Sequence, residues 1–292
     1  MSSTAVVVPV SAAASWRDVV ALFKLRIGAL VVATALAGAV AAGGRDPAVL
    51  AVLALACLAA ASGASALNHY LDRDLDARMA RTADRPVPGG RISPGVPLWL
   101  GLGLVAASQA SAPVLGWGSA LYLLAGAATY VVVYTAWLKR RTPYSIVIGG
   151  AAGSFAALAG WQSVASTWEP APQLLAAVLL LWTPSHFWSL SIVLERDYRA
   201  AGIPALSALV GAQRTAATVH ANTLGLVATS LALAAYFGWL YLAVAAAAGA
   251  GFVLCTHRLS REPTIERAWL AFKLSGLYLL VVLAGSVLSA LV

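Results

Sequence analysis

The sequence predicts an all-α membrane protein of about nine transmembrane helices, and three observations predict it. Hydrophobic residue types make up 61% of the 292 residues and charged types only 10%, where a soluble globule carries about a quarter charged. Nine apolar stretches approach the roughly 20 residues that a helix needs to cross the hydrocarbon core; they lie near 22–42, 48–67, 97–114, 117–138, 144–161, 173–194, 218–237, 238–255 and 270–291. The bases keep step with them. Of the 19 Lys and Arg residues, all but Arg45 fall around the start of the first stretch or on the even-numbered connections, with Lys273 counted in the last of these. By the positive-inside bias the amino terminus and those connections face the cytoplasm. The same alternation accounts for the formal charge of +8 without a nucleic-acid partner.

Ahead of the first span, residues 1–16 lack a basic n-region and a clear cleavage site, so a flexible cytoplasmic tail is expected rather than a signal peptide. Residues 17–292 read as one helical domain, because no connection is long enough for a folded insert. The second span runs into "LNHYLDRDLDARMARTADRPVPGG" (67–90), where Asn68, Asp72 and Asp76 stand at i, i+4 and i+8. That spacing puts them along one face of a helix leaving the membrane. Oxygen ligands with two carboxylates suit Mg²⁺, which completes its shell with substrate phosphate and water; interfacial charges neutralising one another are the plainer use. Asp74 falls off the stripe beside Arg73 and is expected in an ion pair. Arg78, Arg81 and Arg85, followed by Gly89 and Gly90, make a basic turn suited to phosphate.

Spans three and four are separated by a short, weakly marked turn and lead into "WLKRRTPYSIVIGGAAG" (137–153). Its Lys139, Arg140 and Arg141 can attract anionic lipid or receive a polyanionic substrate. Span five is rich in Ala and Gly, which lets membrane helices approach closely. Span six ends in "LLLWTPSHFWSLSIVLERDYRAAGIPAL" (179–206). Pro184 should interrupt the helix hydrogen bonds around residue 180. His186 is an ionisable group inside a membrane segment, a functional candidate on that ground, and Trp182, Phe187 and Trp188 around it can wall a flat aromatic substrate. Glu195, Asp197, Tyr198 and Arg199 follow where a second metal or diphosphate contact would be useful. In the later spans Cys255, like Cys57 earlier, has no second cysteine nearby and reads as a small buried hydrophobe.

These segments together resemble the UbiA-type intramembrane prenyltransferases, and within them the protoheme IX farnesyltransferases, or heme O synthases. The resemblance runs from about Leu22 to Thr215 and is carried by "NHYLDRDLDARMARTADRPVPGGRISP", "KRRTPYSIVIGGAAGSFAALAGW" and "WTPSHFWSLSIVLERDYRAAGIPAL". It implies nine helices bundled around a cavity open to the lipid. It also implies Mg²⁺ at Asn68, Asp72 and Asp76, a phosphate loop with Arg81 and Arg85, a basic cluster at Lys139 and Arg140, a second acidic region at Asp197, and a family histidine at His186. Trp182, Trp188, Tyr198 and Arg199 join the expected substrate contacts. The implied reaction moves a farnesyl group from farnesyl diphosphate to a vinyl group of heme b in the bilayer, with a terminal-oxidase assembly or heme A synthase as a partner. Leu25, Ser185, Ala205 and Ser207 depart from the family's usual residues, and none of them touches the first aspartate motif. A relative acting on another acceptor, a terpene cyclase and a membrane transporter remain the alternatives; a transporter would place its ionisable groups near the midplane, whereas these aspartates lie at helix ends.

Overall fold

The computed structural model describes residues 14–292. Most of the tail expected over 1–16 therefore lies outside the described residues. Its last residues begin a helix instead: Ser15 caps α1 (Trp16–Leu22) by a reciprocal pair of bonds with Asp18. Phe23 and Lys24 then break the chain, and α2 (Leu25–Ala41) leaves at 42° to α1. Lys24 adopts the left-handed region, φ +45°.

Asp46 caps α3 (Pro47–Leu71) through Ala48 N–H, with Pro47 in the first turn where no N–H is needed. At 25 residues α3 is about 37 Å long, longer than the hydrocarbon core of about 30 Å. Its last turns, which carry Asn68, therefore stand at headgroup level. The short α4 (Arg73–Arg78) follows. Beyond the basic loop come α5 (Gly95–Gln109), α6 (Ala112–Leu115) and α7 (Trp117–Ala128), and α7 continues without interruption into a π-helix, π1 (Thr129–Leu138). The chain then forms α8 (Ser145–Gly149), α9 (Ala151–Gln162), α10 (Pro170–Val193), α11 (Glu195–Ala201), α12 (Leu206–Ala232), α13 (Ala234–Arg261) and α14 (Ile265–Leu291).

The expected count of nine spans is not reached. Among the described residues six helices or helix pairs are long and apolar enough to cross a membrane, or seven if the bent α1–α2 pair counts as one. The stretch 144–161 is divided into α8 and α9, neither longer than 12 residues. Most of the stretch 218–237 lies in α12, which carries Arg214, His220 and Asn222 and fails on hydropathy rather than length, and its last residues begin α13. Pro184 cannot donate to the carbonyl of residue 180, yet α10 runs through it without a break. A neighbouring helix supplies a donor at that level, as Asn222 Nδ2 donates to Leu181 O at 2.6 Å and to Ser185 Oγ at 2.7 Å, the usual way a membrane helix tolerates proline.

Small residues set the spacing of the bundle. A Cβ on Gly160 of α9 would lie 1.8 Å from Ala35 O of α2, and one on Gly38 would lie 2.4 Å from Ala157 O. The two backbones are therefore in contact, and α2–α9 packing leaves room for larger side chains only on its flanks. Cys57 and Cys255 are buried free thiols, as expected.

Candidate active site

The end of α3, α4, the end of π1 and the α1–α2 break meet at one mouth of the bundle. Asn68, Asp72 and Asp76 are 3%, 1% and 3% exposed, so their polar atoms depend on protein partners. The helix bends at Asp72 but keeps i→i−4 bonds on both sides, Asp72 N–H to Asn68 O and Asp76 N–H to Asp72 O, which preserves the expected stripe. Asn68 uses both ends of its amide. Its Nδ2 donates to Asp72 Oδ2 at 2.7 Å and to Thr135 Oγ1 at 3.1 Å, and its Oδ1 accepts from Lys24 Nζ at 2.7 Å. Lys139 Nζ donates to the same Asp72 Oδ2 at 2.5 Å, and Arg85 Nη1 donates to Asp76 Oδ2 at 2.7 Å.

Lys139 and Arg85 thus pair with the two carboxylates, and Lys24 adds a third base to this largely buried cluster through Asn68. Asp72 Oδ1 is buried and no group donates to it. An orphaned carboxylate oxygen is costly and is a fitting ligand for a hard divalent cation. No group of three His, Cys, Asp or Glu residues among the described residues is arranged to hold a metal, so an ion at Asp72 and Asp76 would take the rest of its shell from substrate oxygens and water, the habit of Mg²⁺. Asn68 stands by as a weaker member, since Lys24 occupies its carbonyl oxygen.

The π-helix explains how Lys139 reaches α3. Its i→i−5 pattern continues in Lys139 N–H to Tyr134 O, and Thr135 Oγ1 donates to Tyr130 O. Residues 130 and 139 are nine apart, close to two turns of a π-helix but about two and a half turns of an α-helix. The wider winding therefore puts Tyr130, Tyr134, Thr135 and Lys139 on one face.

Behind this mouth lies a cavity of about 280 Å³ whose walls include Phe23, Ile27, Cys57, Ala64, Tyr130 and Phe187. Lys24 lies at its edge. Ile27 and Phe187 are 57% and 39% exposed, so the cavity opens sideways onto the outer surface. The rings of Tyr130 and Tyr134 stack at 5.8 Å and both line it.

The expected aromatic wall is corrected accordingly. Of Trp182, Phe187 and Trp188, only Phe187 lines the cavity. Trp188 is buried against Ile192, Leu206 and Ala216, and Trp182 Nε1 donates to Ser275 O of α14 at 2.7 Å. His186 also turns to α14, with Nδ1 2.7 Å from Ser275 Oγ. That hydroxyl spends its proton on Phe272 O at 2.6 Å, so His186 carries its proton on Nδ1 and donates. The side of α10 that faces the cavity presents Thr183 and Phe187, of which only Phe187 was expected there.

The remaining candidates gather around the mouth in different ways. Arg140 makes a two-pronged bond to Asp74, 2.7 Å on each arm, replacing the expected Arg73 partner, and its guanidinium holds the Asp74 carboxyl down at about 2. Arg73 instead lies over the Tyr70 ring. Tyr198 packs with Leu75, Met79, Ala201 and Ile203, joining α11 to α4, and burial raises its phenol above the ordinary value. This brings Asp197 to the same end of the bundle, half-exposed. Arg199 pairs with Glu195 at 2.9 Å, whereas Arg81 is exposed and free of ion pairs among the described residues. Lys24, Tyr130 and Tyr134 are the residues that the sequence did not single out. The signal for the tyrosines was the "YVVVY" repeat at the end of span four; for Lys24 it was a lone base at the start of span one.

An acid stripe neutralised by bases at the mouth of an apolar, laterally open cavity is a place to hold a polar head while its greasy tail lies in the membrane. The model of the UbiA prenyltransferase family matches residues 30–280. The chain belongs to the UbiA prenyltransferase family. Among its relatives, Protoheme IX farnesyltransferase 1 of Cenarchaeum symbiosum is 41% identical, covering 94% of this chain and 96% of that one. Protoheme IX farnesyltransferase 2 of Paramagnetospirillum magneticum is 43% identical over 93% and 96%. The solved apo structure of a UbiA homolog from Aeropyrum pernix K1 superimposes with a TM-score of 0.74 at 22% identity, over 90% of this chain and 97% of that one. A UbiA homolog from Archaeoglobus fulgidus bound to GPP and Mg²⁺ gives 0.67 at 16%, over 92% and 99%. The fold is thus UbiA-like, and the protein is an integral, multi-pass membrane prenyltransferase.

Proposed function

We propose that the protein transfers the farnesyl group of farnesyl diphosphate to a vinyl carbon of heme b, giving heme O, with Mg²⁺ as the divalent ion. Relatives bearing the name protoheme IX farnesyltransferase, 41–46% identical over most of this chain, support the acceptor and the tail. The single observation that carries the chemistry is the buried Asp72 carboxylate with one oxygen bridged by Lys139 and Asn68 and the other open. Mg²⁺ bound there supplies Lewis-acid neutralisation of the charge growing on the departing diphosphate.

The chain's own residues do the rest. Lys139 and Arg85 exchange some of their carboxylate contacts, and Lys24 its bond to Asn68, for diphosphate oxygens, and Arg81 stands free to close over them from the loop. Such donors act most strongly where charge develops as the C1–O bond breaks and the electron pair leaves with diphosphate. Tyr130 and Tyr134 present ring faces to the allylic cation, and the apolar cavity keeps water from it. The vinyl carbon then bonds to C1; the cation left beside the porphyrin takes water and loses a proton, which yields the hydroxyethylfarnesyl group. Because the basic connections gather at this mouth, the site faces the cytoplasm, as does the amino terminus, in a bacterial inner membrane.

The test is mass spectrometry of hemes extracted after incubating the purified protein with heme b, farnesyl diphosphate and Mg²⁺. Heme O should form, and Asp72→Asn should reduce it to below about 1% of wild type, several kcal/mol of transition-state stabilisation, while the protein remains folded. Release of diphosphate without a heme product would leave the diphosphate site standing and point to another acceptor or a cyclase.

A further inference from the structure

Lys273 stands apart from the diphosphate machinery. The sequence groups it with the loop before the last span, but it sits within α14, eight residues beyond Ile265, about 12 Å along the axis of a membrane helix. Its side chain is exposed and has no carboxylate partner among the described residues. A cation at such depth is costly and marks a function, and the plainest competing use is snorkelling to headgroups.

A row of rings ties Lys273 to the cavity. Its ammonium lies 5.5 Å from the Trp269 ring centroid. Trp269 stacks on Phe272 at 5.2 Å and Phe272 on His186 at 4.2 Å. His186 meets Phe187 edge-on at 5.0 Å, and Phe187 is part of the cavity wall. Both ends of the row are open, with Phe187 39% and Trp269 41% exposed. The bonds of Trp182 and His186 to Ser275 hold α10 and α14 in this register. The row therefore forms an aromatic rim running from the reacting cavity to a lone cation in the membrane.

We infer that this rim seats the acceptor, a planar aromatic acid lying between Phe187 and Trp269 with one carboxylate on Lys273. The inference rests on the reaction proposed above and adds to it the residue that recognises the acceptor's acid group. Charge complementarity selects the occupant: a neutral quinone precursor or a lipid tail would gain nothing from a desolvated ammonium, whereas a porphyrin carboxylate would make a charge-assisted bond in a medium where such bonds are strong.

The test uses the full chain in nanodiscs with farnesyl diphosphate and Mg²⁺, comparing heme b with its dimethyl ester. Lys273→Gln should raise KM for heme b about tenfold, the loss expected of one such bond, and leave KM for farnesyl diphosphate unchanged; Lys273→Arg should restore most of it. Esterification should cost the wild type about the same factor and cost Lys273→Gln nothing more. Full activity of Lys273→Gln on heme b, two penalties that multiply, or a defect that follows the anionic lipid content of the disc would each overturn the inference while the reaction stands. A wild-type protein that makes no prenylated heme would overturn the reaction reading and this one with it.

Discussion

At Asn68 the amide oxygen faces Lys24 while the amide nitrogen faces Asp72, so one neutral side chain relays order from the α1–α2 break to the carboxylate proposed to hold Mg²⁺. Lys24→Met should therefore act in two ways, removing a cation from the diphosphate site and freeing Asn68 to rotate. KM for the prenyl diphosphate should rise at least about tenfold, since a charged hydrogen bond contributes about 1.5–3 kcal/mol, and steady-state kinetics at saturating acceptor would show it; an unchanged KM would remove Lys24 from the site. The placing of Asp72 and Asp76 on one face was legible because it follows from a four-residue spacing. Lys24 was not, because its reach depends on a left-handed backbone at a bend that the "FKLRI" stretch does not announce. His186, Trp182 and Trp188 were legible as unusual residues but assigned to the wrong surface: residue type says that a ring needs a neighbour, not whether α10 turns it inward or towards α14.

The π-helix is the element whose role no 3.6-residue pattern could reveal. Deleting Val132 should restore α-winding across 129–138 and swing Lys139 away from Asp72 while keeping the apolar length needed to span. Turnover should then fall as far as in Lys139→Met, with a thermal midpoint close to wild type, and a folded, fully active deletion would show that the wide winding is incidental. The helices themselves were largely foreseen, since hydropathy reports burial in lipid directly. Their count of nine is not confirmed by length and hydropathy, because one expected span is divided into the short helices α8 and α9 and another carries polar residues that bond within the protein, as Asn222 does. The basic loop and α11 were read as candidate phosphate contacts from composition, but the contact of Tyr198 with Leu75 and Met79 that joins α11 to α4 is long-range and leaves no local trace.

For the molecule as a whole, the distribution of bases makes a prediction about sidedness. With Cys57 and Cys255 buried, a cysteine placed at Arg261 should react with an impermeant maleimide only in inverted vesicles, and one at Trp168, which is 93% exposed, only in right-side-out cells; the reverse pattern would turn the molecule over. The charge alternation was legible in the sequence because it concerns loops and not packing. What stayed hidden is how the chain's first and last membrane helices come together. α2 packs against α14, and Arg45 Nη2 donates to Ala290 O at 2.5 Å near the end remote from the mouth. Like the α2–α9 and α10–α14 contacts, this seam is crossed by no direct loop. The Arg45 guanidinium on a main-chain carbonyl is a non-covalent clasp between the two ends of the described chain, so loosening either end would loosen the other.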